Sequence, residues 1–329
     1  MATSAIALLK KAYPKAKITV MVRPAAREIV GNNPVVDQVL VVEYRSKHCS
    51  FSDTIKLIKD IRSRKFDLSI SLDAKLRSIL PVFIAGIPIR VIAADIFKTT
   101  SFRKKLCTHV ITPSCDVYKS HQSEIFQSII HRFTDIKGSK LPVMSNIEPV
   151  NKEKARRLMD SLPQHHYKVA LCVKGTFPLK DWGQAKFAAL LNELNTKYDC
   201  AFFIIGAPGD RSYADEIIKR TSVPVANFCG LTNLVDLAAL LDLTDLFITV
   251  DTGATHIAST RKVPIVAIYG CTSPTRWHPL NERYAIVHSS LGCVPCSIAA
   301  DACPGHACMN LISVDMVIKA IEDLNCLNK

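Results

Sequence analysis

Short apolar runs alternate with stretches of helical period along the whole chain. In the first half, residues 18–22, 38–42, 68–72, 90–93 and 107–111 read as strands, and 4–12, 25–30, 51–64, 74–85 and 121–133 as helices. Residues 141–150 hold two prolines and no clear period, which marks a linker. A second alternating series follows. Its strands are expected at 167–173, 201–205, 225–228, 246–250 and 263–269, with helices at 185–197, 213–221, 234–241, from Ala254 onward, and 314–324. Strands and helices in strict alternation favour parallel sheets covered by helices on both faces. The chain therefore predicts an α/β protein of two Rossmann-like domains facing a cleft, over residues 1–145 and 146–329.

The most informative strand end is Asp251-Thr252-Gly253. An apolar run stops at the aspartate, turns on Thr-Gly and opens a helix that carries His256 on its first turn. The first amides of a helix lack intrahelical partners and carry the positive end of its dipole, so they suit a diphosphate. Thr252 adds a hydroxyl, and Gly253 lets the backbone approach without a Cβ. Aspartic proteases also use D-T-G, but in an all-β setting that the helical signal argues against. His256 is placed to bond a phosphate or a sugar, against packing or capping as the alternative.

Other strand ends carry matching chemistry. The loop from Gly175 to Trp182 offers the Thr176 hydroxyl and the Lys180 ammonium, which would neutralise a departing nucleoside diphosphate. Its bland reading is a surface lysine beside an anchoring tryptophan. Asp210, in Gly206-Ala207-Pro208-Gly209-Asp210, is either a ribose acceptor or a helix N-cap. Gly230-Leu231-Thr232 would line a base pocket with backbone groups. No G-x-G-x-x-G is present, which speaks against a dinucleotide dehydrogenase. Cys293, Cys296, Cys303 and Cys308, with His306 among them, have spacing near that of a zinc site. Reduced structural thiols or one labile disulfide explain them equally well.

Charge is uneven. Residues 1–150 hold 24 Lys/Arg against 12 Asp/Glu, and the rest 18 against 17, so nearly all of the net +13 lies in the first half. A basic half points to a polyanionic partner: nucleic acid, an anionic membrane surface or a phosphorylated acceptor. Nucleic acid fits least, since basic and aromatic residues do not interleave. No apolar run reaches the ~18 residues of a membrane span, and the first eleven residues read as an amphipathic helix rather than a signal peptide. Eight of the twelve cysteines stand singly in apolar segments, as buried reduced thiols do, which favours a reducing cytoplasm.

In this order the motifs resemble glycosyltransferase family 9, the ADP-heptose:lipopolysaccharide heptosyltransferases. The resemblance runs through Ala12-Tyr13-Pro14, Phe66-Asp67-Leu68, Leu72-Asp73, Arg77-Ser78, Gly175-Thr176-x3-Lys180-x-Trp182 and Gly206-Ala207-Pro208-Gly209. It continues through Gly230-Leu231-Thr232, Asp251-Thr252-Gly253-x2-His256, Tyr269-Gly270-x-Thr272-x-Pro274 and the cysteine-rich tail, which is similar to the heptosyltransferase II-type branch. It implies a GT-B fold with acceptor on the first domain and donor on the second. It also implies inverting transfer of L-glycero-D-manno-heptose from ADP-heptose to the inner core of lipopolysaccharide, without a required metal or cofactor. The acceptor would be a phosphorylated lipid A-core, met in the cytoplasm at the inner face of the inner membrane. By the same resemblance Thr176, Lys180, Thr252 and Gly253 contact phosphates, Asp210 holds ribose, and Leu231 and Thr232 lie by the adenine. Asp251 and His256 lie near phosphates and sugar.

Family members usually begin with a strand, a Gly-Asp turn and a Thr-rich stretch. Here Met1 to Ile6 corresponds to residues just after that turn. The first strand and its aspartate, the general base that activates the acceptor hydroxyl, are therefore expected to be missing from the first domain, leaving an open sheet edge. Two explanations stand: an upstream start, or a catalytically impaired nucleotide-sugar-binding paralogue. Asp73, at another strand end, is the substitute base.

Overall fold

The computed structural model describes residues 1–43, 51–73, 75–94, 101–296 and 303–327. It divides into two compact units, Met1–Val143 and Met144–Lys329. The first runs α1 (Ala2–Ala12), β1 (Thr19–Val22), α2 (Arg27–Gly31), β2 (Gln38–Val41), α3 (Phe51–Ser63) and β3 (Leu68–Ser71). It continues with α4 (Leu76–Ile84), β4 (Ile89–Ala93), α5 (Ser101–Lys105), β5 (His109–Ile111) and α6 (Gln122–Thr134). Its strands form two parallel sheets, β1-β2 and β3-β4-β5. Among the described residues no ladder joins them, so β1 and β3 each pair on one side only. Small apolar clusters hold this unit. One sets Ala5 and Leu8 of α1 and Ile130 of α6 against Ile70 of β3.

The second unit runs α7 (Pro149–Asp160), β6 (Tyr167–Cys172), α8 (Gln184–Lys197), β7 (Cys200–Ile205), α9 (Arg211–Arg220), β8 (Val225–Asn227), α10 (Leu234–Leu241) and β9 (Leu246–Val250). It ends with α11 (Gly253–Ala258), β10 (Ile265–Tyr269), α12 (Pro274–Trp277), β11 (Tyr284–His288), α13 (Ala307–Asn310) and α14 (Val314–Leu324). All six strands are parallel, in the order β11-β10-β9-β6-β7-β8. β7, β9 and β10 are buried along their whole length, which is why they read as nearly continuous apolar runs, with only Thr249 polar. The edge strands β8 and β11 are only partly buried.

The chain winds outward from β6 through β7 to β8, then returns to the centre and winds the other way from β9 through β10 to β11. The reversal falls between β6 and β9, paired from Val169↔Leu246 to Cys172↔Thr249. At such a switch point neighbouring loops part on opposite sides of the sheet and leave a crevice at the carboxyl ends of the strands. One elsewhere-predicted linker needs correction. Pro149 is the first residue of α7, where a missing N–H costs nothing, so the chain is helical from there.

Candidate active site

Three neighbouring strands of the second unit end in polar residues that meet. After β6, a short 3₁₀ turn at Pro178–Lys180 brings Lys180 back over the strand ends. Its Nζ lies 2.7 Å from Oδ2 of Asp251, the residue that follows β9. Thr272, beyond the end of β10, donates its Oγ1 to the same Oδ2 at 2.7 Å. The ion pair is withdrawn from solvent, with side chains 13 % and 5 % exposed. The ammonium also lies 5.1 Å from the centre of the Phe177 ring.

The Lys180 loop is shaped by its own contacts. Asp181 accepts from the Gly175 amide and from Lys174 Nζ, both at 2.9 Å, which closes the loop into a ring. Gly175 is needed for space: a Cβ there would lie 2.3 Å from Cβ of Lys180. Trp182 is buried and donates Nε1–H to the Ile312 carbonyl at 2.9 Å, so it anchors the chain's tail as well as the following helix.

At the D-T-G turn, Thr252 occupies the N-cap of α11 without bonding the helix through its side chain, and a Cβ on Gly253 would meet open space. Because α11 has only six residues, its dipole is small, and the ammonium beside its start is that of Lys180, paired with Asp251. On the other side of the switch, the ends of β7 and β8 are zipped together. Gly230 donates its amide to the Gly206 carbonyl at 2.9 Å and adopts φ +78°, with Pro208 packed where a Cβ would go. Leu231 beyond it is 40 % exposed, an apolar side chain at the rim.

The sequence profile of Glycosyltransferase family 9 (heptosyltransferase) matches residues 54–305, more than half of the chain. The chain belongs to glycosyltransferase family 9. Lipopolysaccharide heptosyltransferase 3 of Escherichia coli K12 is 26 % identical over 291 residues, covering 86 % of this chain and 82 % of the relative. The solved family 9 glycosyltransferase of Veillonella parvula superposes with a TM-score of 0.80 at 21 % identity, over 98 % of this chain and 92 % of its own. The E. coli ADP-heptose heptosyltransferase II structure gives 0.76 at 20 % identity, over 98 % and 93 %. The protein is thus a glycosyltransferase, and its fold is the α/β GT-B type built of Rossmann-like units with parallel sheets.

The remaining expected site residues of this family 9 chain divide by environment. Asp210 turns its Oδ2 back to the Ala207 amide at 2.8 Å, closing its own loop in the manner of a cap. Thr176 is exposed on the Lys180 loop, and Thr232 is half-buried just before α10. Asp73 accepts from Ser71 Oγ at 3.1 Å and from the Lys75 amide at 3.3 Å, so it too serves its own turn. The zinc-like spacing is not matched by a ligand set. Among the described residues no group of three or more His, Cys, Asp or Glu is placed to hold a metal. Cys308 lies in the apolar core while Cys293 is exposed, an environment divided in two. The eleven described cysteines form no disulfide with one another, and burial pushes the thiols of Cys172 and Cys200 up to about 12, so those two stay protonated as packing groups.

His256 is half-buried with its ring 6.2 Å from that of Trp277, and burial pushes its pKa down to about 4. At neutral pH it is an uncharged donor–acceptor, able to bond a hydroxyl or phosphate oxygen without adding charge. The unfolded chain titrates this ring near 6.5 and so binds more protons than the folded one below that pH. The stability gained by keeping it neutral is full above pH ~6.5 and drains away as pH falls through about 4, by at most roughly 3 kcal/mol. A His256→Asn variant should therefore show a flatter melting temperature between these pH values than the wild type; parallel curves would remove the ring from the titration.

Proposed function

We propose that the chain transfers L-glycero-D-manno-heptose from ADP-heptose to the inner core of lipopolysaccharide, with inversion at the anomeric carbon. The observation that carries the reading is the Lys180 ammonium held over the β6/β9 switch point by buried Asp251. The acceptor hydroxyl oxygen forms the new bond to the anomeric carbon while the bond from that carbon to the β-phosphate oxygen breaks. The electron pair leaves with ADP. One further negative charge develops on a diphosphate that already carries two, and a fixed ammonium, the Thr176 and Thr252 hydroxyls and the amides after Asp251 would stabilise it without reorganising. This division of labour needs no metal ion. Leu231 and Thr232 would border the adenine, Asp210 would give its second oxygen to the ribose, and neutral His256 would bond the sugar or phosphate.

The first unit, up to Val143, would take the acceptor. Its basic balance suits a phosphorylated lipid A-core and the inner face of a cytoplasmic membrane, approached from the cytoplasm. No helix among the described residues is long and apolar enough to cross a membrane; the attachment proposed is peripheral, through the basic charge of the first unit. The proton of the acceptor hydroxyl needs a base, and Asp73 is the candidate, although its Oδ1 accepts from Ser71 Oγ and the Lys75 amide within its own turn. That engagement favours a second reading, a nucleotide-sugar binder that no longer transfers.

Calorimetry with ADP, paired with transfer from ADP-heptose to heptose-free core acceptor, separates the readings. ADP binding with transfer supports the enzyme. ADP binding without transfer selects the impaired paralogue. A protein that binds no ADP at millimolar concentration has neither role.

A further inference from the structure

Thr272 was expected only as part of a motif, with no role of its own. Its hydroxyl and the Lys180 ammonium converge on one oxygen, Asp251 Oδ2, each at 2.7 Å. A carboxylate gripped twice through one oxygen is fixed in rotation, because turning it about its Cβ–Cγ bond breaks both contacts together.

The turn that carries Thr272 is itself braced. A Cβ on Gly270 would lie 2.7 Å from Met309 Cγ and 2.9 Å from its Sδ, so the tail packs directly on the turn's backbone. Lys186 Nζ holds that tail through the carbonyls of Met309, Asn310 and Ile312, at 2.9, 2.9 and 2.8 Å. Trp182, two residues beyond Lys180, bonds the Ile312 carbonyl as well. One tail segment thus ties the loop bearing Lys180 to the turn bearing Thr272.

We propose that Thr272 is a positioning residue for the diphosphate site: it locks Asp251 so that Asp251 spends one N–H of Lys180 and leaves the others aimed at the diphosphate. The proposal rests on the donor-site reading above. Without the hydroxyl, Asp251 is free to rotate, carrying the ammonium with it or turning negative charge toward the phosphates.

The test is titration calorimetry of Thr272→Val and Thr272→Ser with ADP and with adenosine, alongside thermal melts. Thr272→Val should bind ADP about tenfold more weakly and adenosine as the wild type does, while Thr272→Ser should stay within about twofold for both. Gly270→Ala, which displaces the turn but keeps the hydroxyl, should also lose ADP affinity selectively. A wild type that binds ADP and a Thr272→Val variant that binds it equally well overturns the positioning role alone. Equal losses of ADP and adenosine overturn it too, since they report general damage. A wild type blind to ADP removes the donor-site reading, and this proposal falls with it.

Discussion

Replacing Lys180 with alanine is expected to lower kcat for heptose transfer by about 10²–10³ and to weaken ADP binding in parallel, because a fixed donor on developing phosphate charge is removed. The same change should cost stability. Asp251 is 5 % exposed and would be left without its counter-charge. Breaking a buried pair on one side typically costs about 3–5 kcal/mol, more than the pair's net worth. The two effects can be pulled apart. In a Lys180→Met/Asp251→Asn double variant no charge is stranded, so the melting temperature should recover most of its loss while transfer stays at the single-variant level. Single-turnover kinetics and thermal melts on the three proteins decide it. Transfer that recovers together with stability would mean that Lys180 acts through folding and not on the leaving group.

How much of this site was legible beforehand follows from what local sequence encodes. β7, β9 and β10 are nearly continuous apolar runs because both faces of each strand are buried, and their strand-end loops could be placed from that alone. Lys180 and Asp251 stood out for their positions at strand ends. Their contact did not, since it depends on β6 and β9 lying side by side, a pairing across some 75 residues that no local pattern contains. Thr272 was missed as an actor for the same reason. The available signal was its place just past β10, the strand next to β9. α7 was hidden because its exposed face is almost all charge and its proline was read as a breaker; Glu148 before that proline and Asn151 three residues later, which bonds the Glu148 amide at 3.1 Å, mark a helix start. β11 was missed as an edge strand with a weak pattern. Spacing alone left the cysteines open between metal ligands and packing thiols. The four cysteines equal a zinc set in number and come near it in interval, and the structure packs Cys308 into the apolar core. Asp210 was balanced between ribose and cap, and its side chain bonds its own loop.

Gly175 carries the second large prediction, and here the reason for a glycine is space alone. Substituting alanine would place a Cβ 2.3 Å from Lys180 Cβ, 3.2 Å from its Cδ and 3.3 Å from its Cγ. No real pair of carbons tolerates that first distance, so either the ring closed by Asp181 opens or the Lys180 stem swings out and takes its ammonium off Asp251. Both routes predict a fall in transfer close to that of Lys180→Ala, with a stability loss of about 1–3 kcal/mol from overpacking. A Lys180→Gly background removes the colliding carbon. There, Gly175→Ala should cost little stability, although Lys180→Gly alone should already transfer as poorly as Lys180→Ala. The difference between the two backgrounds, measured by denaturant unfolding, is the coupling energy of the pair, and residues in direct contact should show it clearly. If Gly175→Ala is equally destabilising with glycine at position 180, the collision with Lys180 is not what excludes a side chain at this position, and the loop's shape must be set by the Asp181 ring instead.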